Sequence, residues 1–574
     1  MNTDGRPMAL AALCYLLITA LLFHNLLPVL TTHLFSDLGD PLLNASILEW
    51  NAKHLPLTTD WWNFPAFAPL PGVTAFTEHL LGAYPLTSPI IWISGNPVLA
   101  YNALQLLTLP LNGLAVFALV RELTGSSLGA FVGGLAFAFA PFTGEHASHI
   151  QMLMAFGMPL ALCGLHRYLK SGDTRDLVWF GVGWLSVTLS NAYMLVFFPI
   201  LLALWAIWFF TRADARRWLA IAVTAGVATL PVVPLLIGYH LRHAAYGLFR
   251  DYSEIVSQSA GIQSVAGINQ RAVLWVGWLP NTFYEQSLFP GFAIAALVVI
   301  ALTAAVVSRE RRAWRRPILF YFTAAVLLWT FTLGPEVRWA GVRVGYGPYW
   351  LLMHIPGVQS IRVPSRAWLP ATLCLAVCAG FGAAWLTRRR RTWWIILPIA
   401  VLIVGEGWFV DTTMRVPSAL PLYIPPGAQV LDLPISAGYG NADAQYLAVL
   451  GGYRVVNGYS GYAPPYFGPL RNALGDHRPE AFAPFRQRAD LYIVVRPDVE
   501  PRFVMWLETV NDLQRLIDFG RWKLYRLPHL GNGSPRLVLL PLPHPGEHDD
   551  EPVAEADEEQ DVDRHPREPG EHAG

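Results

Sequence analysis

Residues Ala367–Val410 read AWLPATLCLAVCAGFGAAWL, then TRRRRT, then WWIILPIAVLIVGEGWFV. Two apolar runs, Ala367–Leu386 and Trp393–Val410, flank Arg388, Arg389, Arg390 and Arg391. A helix needs roughly 20 apolar residues to cross the hydrocarbon core. Arginine beside the end of such a run marks the cytoplasmic side. The stretch therefore reads as two membrane spans joined by an inner turn.

The same alternation extends towards the amino terminus. Arg309, Arg311, Arg312, Arg315 and Arg316 separate the runs Pro290–Val307 and Ile318–Leu333. Arg212, Arg216 and Arg217 precede Leu219–Tyr239, and Arg167, Lys170 and Arg175 follow Ile150–Tyr168. The intervening connections are nearly empty of arginine, or long and mixed. Further runs lie at Met8–Leu30, Pro97–Val120 and Ser127–Phe142; the first has no cleavage site after it and reads as an anchor. Leu177–Phe210 is too long for one crossing, and its polar centre, Ser190-Asn191-Ala192-Tyr193, predicts two helices turning at the outer surface. The total is about eleven spans. An odd number puts the amino terminus inside, everything after Val410 outside, and every arginine cluster inside.

Composition agrees. Of 574 residues 54% are hydrophobic and 14% charged, and the mean hydropathy is +0.38, too apolar for a soluble enzyme of this size. The formal net charge of zero gives no nucleic-acid footprint. Cys14, Cys163, Cys374 and Cys378 all lie in apolar runs, where they read as small buried hydrophobes, and neither a disulfide framework nor a metal cluster is indicated. The chain divides into a membrane domain (1–410), an α/β domain (411–541) and an acidic tail (542–574) expected to be disordered. Within the first, residues 31–84 form a long outer loop. There Leu43, Ile47 and Trp50 share a helical face, as do Phe76, Leu80 and Tyr84, and Trp61-Trp62-Asn63-Phe64-Pro65 lies between them. Short interfacial helices with tryptophans at the headgroups are the expectation. In the α/β domain strands are expected at Gln429–Leu433, Tyr453–Val456, Leu491–Val495 and Trp522–Leu527, with a helix at Arg502–Phe519.

Charged groups near the membrane are costly, so they point to sites. Asp37 and Asp40 follow the first span directly. Either supplies a general base, or Asp40 before Pro41 is a helix N-cap and Asp37 is solvated. Glu145 and His149, four residues apart in an outer connection with Gln151 beside them, would share a helical face and either contribute to a metal site, for which two ligands do not suffice, or act as polar caps at the interface. Arg362 and Arg366 lie on the arginine-poor side, where guanidinium groups fit phosphate or snorkel to headgroups. Arg242, Arg250 and Arg271 are weaker instances of the same idea, and Glu406 in the last span has no assigned role. There is no Gly-rich nucleotide loop, Gly-x-Ser-x-Gly or His-Glu-x-x-His.

The acidic motif just beyond the first span, the long first outer loop, the span number and the outer soluble part together resemble the GT-C superfamily of membrane glycosyltransferases. Its members include protein mannosyltransferases and the lipid A aminoarabinose transferase. The segments Gly39-Asp40-Pro41-Leu42, Asn96–Asn102, Ala136–Pro141 and Arg362-Val363-Pro364-Ser365-Arg366 are similar to an uncharacterised bacterial branch of it. The Asp-Glu pair usual in the first loop of that superfamily is absent. The resemblance implies a hexosyl- or pentosyltransferase in the bacterial inner membrane, with a periplasmic or extracellular carboxyl-terminal domain. It would move sugar from a polyprenyl-phosphate donor, with inversion, to a glycan, lipid or protein acceptor. It implies Asp40 or Asp37 as base, Glu145, His149 and Gln151 around sugar or acceptor, and Arg362 and Arg366 on the lipid phosphate. A divalent cation serves some members and not others, and no complete ligand set is visible here. The rival readings are a transporter or flippase of lipid-linked glycans, whose polar sites sit near the midplane, and a non-catalytic assembly protein.

Overall fold

The computed structural model describes residues 5–307, 312–388, 394–436 and 440–530. The acidic tail and Arg309, Arg311 and Arg389–Arg391 lie outside them.

Helix boundaries follow local chemistry. Asn96 Oδ1 accepts from the Leu99 amide at 3.0 Å and Pro97 occupies the first turn, so a long helix starts there and runs to Thr124. Gly125, with φ +72°, ends it, and Ser126 at once caps Ser127–Ala138 through the Gly129 amide at 3.1 Å. The helix Trp368–Leu386 is buried along nearly its whole length, packed against Ser127–Ala138, Phe292–Val307 and Arg312–Thr332. Small residues permit that approach. A Cβ on Gly129 would sit 2.6 Å from the Gly380 carbonyl oxygen and 2.7 Å from Ala384 Cβ. Apolar lipid drives helices together weakly, so close backbone packing of this kind matters.

Among the described residues four helices are long and apolar enough to cross a membrane: Pro97–Thr124, Ser127–Glu145, Ile150–Ser171 and Pro364–Leu386. Ala215–Thr229 with Val232–Tyr246, bent by 49°, adds a fifth if it is one broken span. Arg6–Leu22, Met194–Phe209, Phe292–Val307 and Ile396–Glu406 are apolar but shorter. Length and composition alone therefore give fewer spans than the sequence pattern of about eleven. The long run Leu177–Phe210 divides into Thr174–Thr188 and Met194–Phe209 about the polar turn Ser190–Tyr193.

The first outer loop is interior rather than interfacial. In the helix Asp40–Lys53 the residues Pro41–Glu49 and Asn51 are all buried. Trp61 and Trp62 are buried too, the Trp61 indole donating to Asn51 Oδ1 at 2.8 Å and Trp62 carrying the Arg242 guanidinium at 3.8 Å. Phe76–Tyr84 is no single amphipathic helix. It forms the 3₁₀ turns Val73–Phe76 and Leu81–Ala83 before the helix Tyr84–Ser94. The tryptophans pack against protein because the Val232–Tyr246 helix covers them through Leu235, Tyr239 and Arg242.

The carboxyl-terminal part holds a five-stranded sheet. Gln429–Leu433 pairs parallel to Arg454–Val455 on one side and to Leu491–Val495 on the other. Trp522–Leu527 then pairs antiparallel to Leu491–Val495, and Gln514–Phe519 forms the far edge. The helix expected over Arg502–Phe519 spans only Pro501–Leu507. The remainder turns at Asp512 (φ +66°) and becomes a hairpin strand closed by Gly520 (φ +63°). Its exposed, charge-rich face hid the strand period.

Two seams tie this sheet to the membrane part. The near-edge strand is covered by the first outer loop, Ala68 N donating to Val455 O at 2.7 Å and Val455 N to Pro65 O at 3.0 Å. His33–Phe35 pairs antiparallel with Thr413–Arg415, joining the chain after the first helix to the chain after the last. The residues up to His529 form one compact unit.

Candidate functional site

One face of the helix Pro97–Thr124 carries the site's framework. Asn102 Nδ2 donates to the carbonyls of Leu30 and His33, both at 2.8 Å, fixing the approach to Asp37 and Asp40. Gln105 donates to Ala147 O at 2.8 Å and Asn112 to Leu153 O at 2.8 Å, fixing the segment that bears His149. Residues 102, 105 and 112 recur at helical spacing, so one element registers both segments.

Asp40 is the first residue of its helix, not the cap; Gly39 holds the cap position. Its carboxylate is free of backbone partners and takes two side-chain contacts. His149 Nε2 lies 3.1 Å from Oδ2, and the Tyr459 hydroxyl donates to Oδ1 at 2.7 Å. Burial pushes this carboxyl up, but His149, Tyr459 and the nearby Arg366 charge outweigh it and hold it at about 2. The Asp40 side chain is 29% exposed, so a substrate can reach it. Asp37 serves the turn: the Gly39 amide donates to Oδ1 at 2.8 Å and the Ser36 hydroxyl to Oδ2 at 3.2 Å. Burial, with the Asp40 charge beside it, raises the Asp37 carboxyl despite those bonds.

Behind Asp40 runs a chain of ionisable groups. The His146 and His149 rings lie 5.7 Å apart. His146 Nε2 is 3.3 Å from Glu285 Oε2, and Arg366 donates to Glu285 through Nη2 at 2.5 Å and Nε at 3.1 Å. Glu285 and Arg366 are 2% and 4% exposed. The Arg366 guanidinium also lies over the Tyr193 ring at 4.4 Å. Burial raises Glu285, yet Arg366 and His146 bring its carboxyl well below the ordinary value.

Glu78 completes the acidic group. Both its oxygens are buried, with the Ala192 amide as backbone partner. Burial raises its carboxyl to about 7, the Asp40 charge adding to the rise while Arg366, the Ala192 amide and His149 oppose it. Two neighbouring carboxyls, one held at about 2 and one at about 7, mark a site able to manage protons.

The structure thus brings Asp37, Asp40, His149 and Arg366 into one neighbourhood. Glu145 stands apart from His149, on the Glu285 side of the group. The helix breaks after it, so Glu145 and His149 share no face, and Glu145 Oε1 instead accepts from the Asn269 amide at 3.2 Å. Gln151 is buried and braces the site, its Oε1 accepting from Asn44 on the Asp40 helix at 3.5 Å and its carbonyl from Asn191 at 3.0 Å. Arg362 stands 3.6 Å from Glu254 with 41% of its side chain exposed. Arg366, by contrast, is already neutralised by Glu285. Glu406 caps Phe292–Val307 from outside, accepting from the Phe292 and Ala293 amides at 2.9 and 3.0 Å and from Trp275 at 3.0 Å. Arg271 pairs with Asp411 at 3.3 Å.

Sequence reasoning missed Glu78 and Glu285, and it gave His146 and Tyr459 no part beside Asp40. Only the rarity of carboxylates in so apolar a chain could have flagged the first two. Among the described residues no three His, Cys, Asp or Glu side chains are placed to hold a metal ion. The acidic group lacks the donor set of a bound divalent cation, and none enters the steps derived below.

No protein-family model and no curated protein matches the sequence. Solved structures do. The arabinofuranosyltransferase AftD from Mycobacteria aligns at 16% identity with a TM-score of 0.50, covering 92% of this chain and 42% of that one. The archaeal oligosaccharyltransferase AglB from Archaeoglobus fulgidus, in complex with an inhibitory peptide and a dolichol-phosphate, aligns at 12% identity with a TM-score of 0.47, covering 88% and 71%. ArnT from Cupriavidus metallidurans, bound to undecaprenyl phosphate, aligns at 10% identity with a TM-score of 0.36, covering 91% and 98%. The chain spans less than half the length of AftD. The apolar helices, with the long first loop and the acidic group packed on them, define a multi-pass membrane protein. Its fold is similar to that of the arabinofuranosyltransferase AftD.

Proposed function

We propose that this protein is a membrane glycosyltransferase that moves a sugar from a polyprenyl-phosphate donor to an acceptor hydroxyl on the non-cytoplasmic side. The observation that carries the reading is the hydroxyl already held on an ionised, accessible Asp40 (Tyr459 Oη to Oδ1, 2.7 Å). An acceptor hydroxyl in that place is poised to lose its proton. The oxygen then bonds to the anomeric carbon as the bond from that carbon to the phosphate oxygen breaks, with inversion. The polyprenyl phosphate leaves carrying its own charge, so no general acid is required. A carboxylate held at about 2 is a weak base, so it takes the proton late, after the new bond has made the hydroxyl acidic.

Arg362, exposed and loosely paired, is the cation suited to the departing phosphate. Arg366 instead sets the field around Asp40 and Glu78 from its buried pair with Glu285. Asp37 shapes the turn that presents Asp40. The alternating arginine loops support an inner amino terminus, with the shorter apolar helices completing the set of spans. The fold shared with the arabinofuranosyltransferase AftD supports the glycosyl-transfer reading.

The test is release of polyprenyl phosphate from radiolabelled polyprenyl-phosphate sugars by the reconstituted protein. Asp40→Asn is expected to lower turnover by about 10²–10⁴-fold, the usual contribution of a general base. Turnover within a few-fold of the parent protein would remove Asp40 from the chemistry.

A further inference from the structure

The segment Asn457–Tyr462 leaves the end of the near-edge strand and crosses the first outer loop. Glycine makes the approach possible: a Cβ on Gly458 would sit 3.0 Å from Ala66 Cβ, and one on Gly461 3.2 Å from the Phe76 carbonyl oxygen. Tyr462 N donates to Phe76 O at 3.0 Å. From the other side Arg250 donates to Gly461 O at 2.5 Å and stacks on the Tyr462 ring at 3.7 Å. Gln445 Oε1 accepts from the Tyr459 amide at 3.2 Å. The segment is held firmly, yet much of its polar capacity is unused. Ser460 Oγ, Tyr462 Oη and Gln445 Nε2 are buried without a hydrogen-bond partner, and Gln445 is 0% exposed. Folded proteins leave few such atoms, and three of them on the segment whose Tyr459 reaches Asp40, and on its buttress Gln445, call for a ligand.

We propose that Asn457–Tyr462 with Gln445 is the acceptor subsite and that the acceptor is a glycan, one of whose hydroxyls displaces the Tyr459 hydroxyl from Asp40. The inference rests on the glycosyl-transfer reading above. The unused set mixes an amide donor with hydroxyls that donate and accept. Sugar hydroxyls, each both donor and acceptor, satisfy such a mixture, and their apolar faces suit the Tyr459 and Tyr462 rings. A lipid tail offers these atoms nothing. The unused atoms are covered in this structure, so the glycan enters by moving the Tyr459 side chain aside rather than by filling an open groove. Tyr459 is on this view a positioning residue that keeps the acceptor place until the acceptor arrives.

The test uses the full chain in lipid nanodiscs and saturation-transfer NMR with mannotetraose, galactotetraose and arabinotetraose, against a neutral serine-containing hexapeptide. At least one tetrasaccharide is expected to bind and the peptide not. Ser460→Ala with Tyr462→Phe should weaken that binding by about tenfold, two neutral hydrogen bonds' worth, at unchanged thermal stability. Gln445→Leu provides an independent variant should the pair fold poorly. Binding by none of the tetrasaccharides, binding of the peptide in their place, or affinity unmoved by these variants would overturn the proposal. Asp40→Asn separates the two readings, since it should abolish transfer and keep tetrasaccharide binding. Transfer that survives Asp40→Asn, with binding still dependent on Ser460 and Tyr462, would remove the base and leave the subsite standing.

Discussion

Replacing Glu285 by Gln tests the polar chain behind Asp40. Glu285 receives Arg366 through Nη2 at 2.5 Å and through Nε at 3.1 Å, with His146 at 3.3 Å, and neither partner of the ion pair is more than 4% exposed. Glutamine keeps the shape and removes the charge, leaving a buried guanidinium uncompensated. Removing one member of such a pair costs about 3–5 kcal/mol. Removing both with apolar residues of similar volume is often neutral, because the desolvation of both charges disappears with their attraction. Glu285→Leu with Arg366→Met is therefore expected to recover most of what Glu285→Gln loses. Chemical unfolding followed by tryptophan fluorescence in nanodiscs reads the order: parent protein and double variant close together, Glu285→Gln well below. The Arg366 field also acts on Asp40 and Glu78, so the double variant, though stable, is expected to lose turnover. A Glu285→Gln protein as stable as the parent, or a double variant no better than the single, would refute the burial argument.

Glu78 predicts a pH dependence. Its carboxyl is raised from 4.5 to about 7 in the folded protein, so the folded state holds a proton that the unfolded state has released between those values. Stability contributed by this group is complete below about 4.5 and falls as the pH rises through about 7, and Glu78→Gln should flatten that part of a stability–pH curve. In the bundle, Gly129→Ala drives a methyl group to 2.6 Å from the Gly380 carbonyl and should cost about 1–3 kcal/mol in thermal or chemical unfolding. Gly226→Ala, in the helix Ala215–Thr229 with nothing within 4 Å, should instead gain about 0.5–1 kcal/mol.

What the sequence revealed was local. Asn96-Pro97 and Gly125-Ser126 mark helix ends because capping acts within a few residues. The polar turn Ser190–Tyr193 was legible, and it also serves the site: Asn191 reaches Gln151 and Tyr193 lies under Arg366. Asp40 and His149 were both named from their outer position, but the bond between them was not foreseen. Glu145 was grouped with His149 on the assumption of an unbroken helix, and the helix stops at Glu145. The partners that decide chemistry are remote in the chain, Tyr459 lying 419 positions from Asp40 and Arg366 81 from Glu285. No periodicity connects such pairs. Residues 514–519 were misread because a charged edge strand lacks the apolar alternation by which strands are recognised.

The seam between Pro65–Ala68 and Val455 has a consequence for biosynthesis. Its halves leave the ribosome about 390 residues apart, roughly 20–80 s at 5–20 residues per second. Until Val455 and Tyr459 emerge, Pro65 and Ala68 have no strand to pair with and Asp40 no phenol to hold. A nascent or truncated chain is thus inserted before it is assembled, and its reactive mouth is finished last.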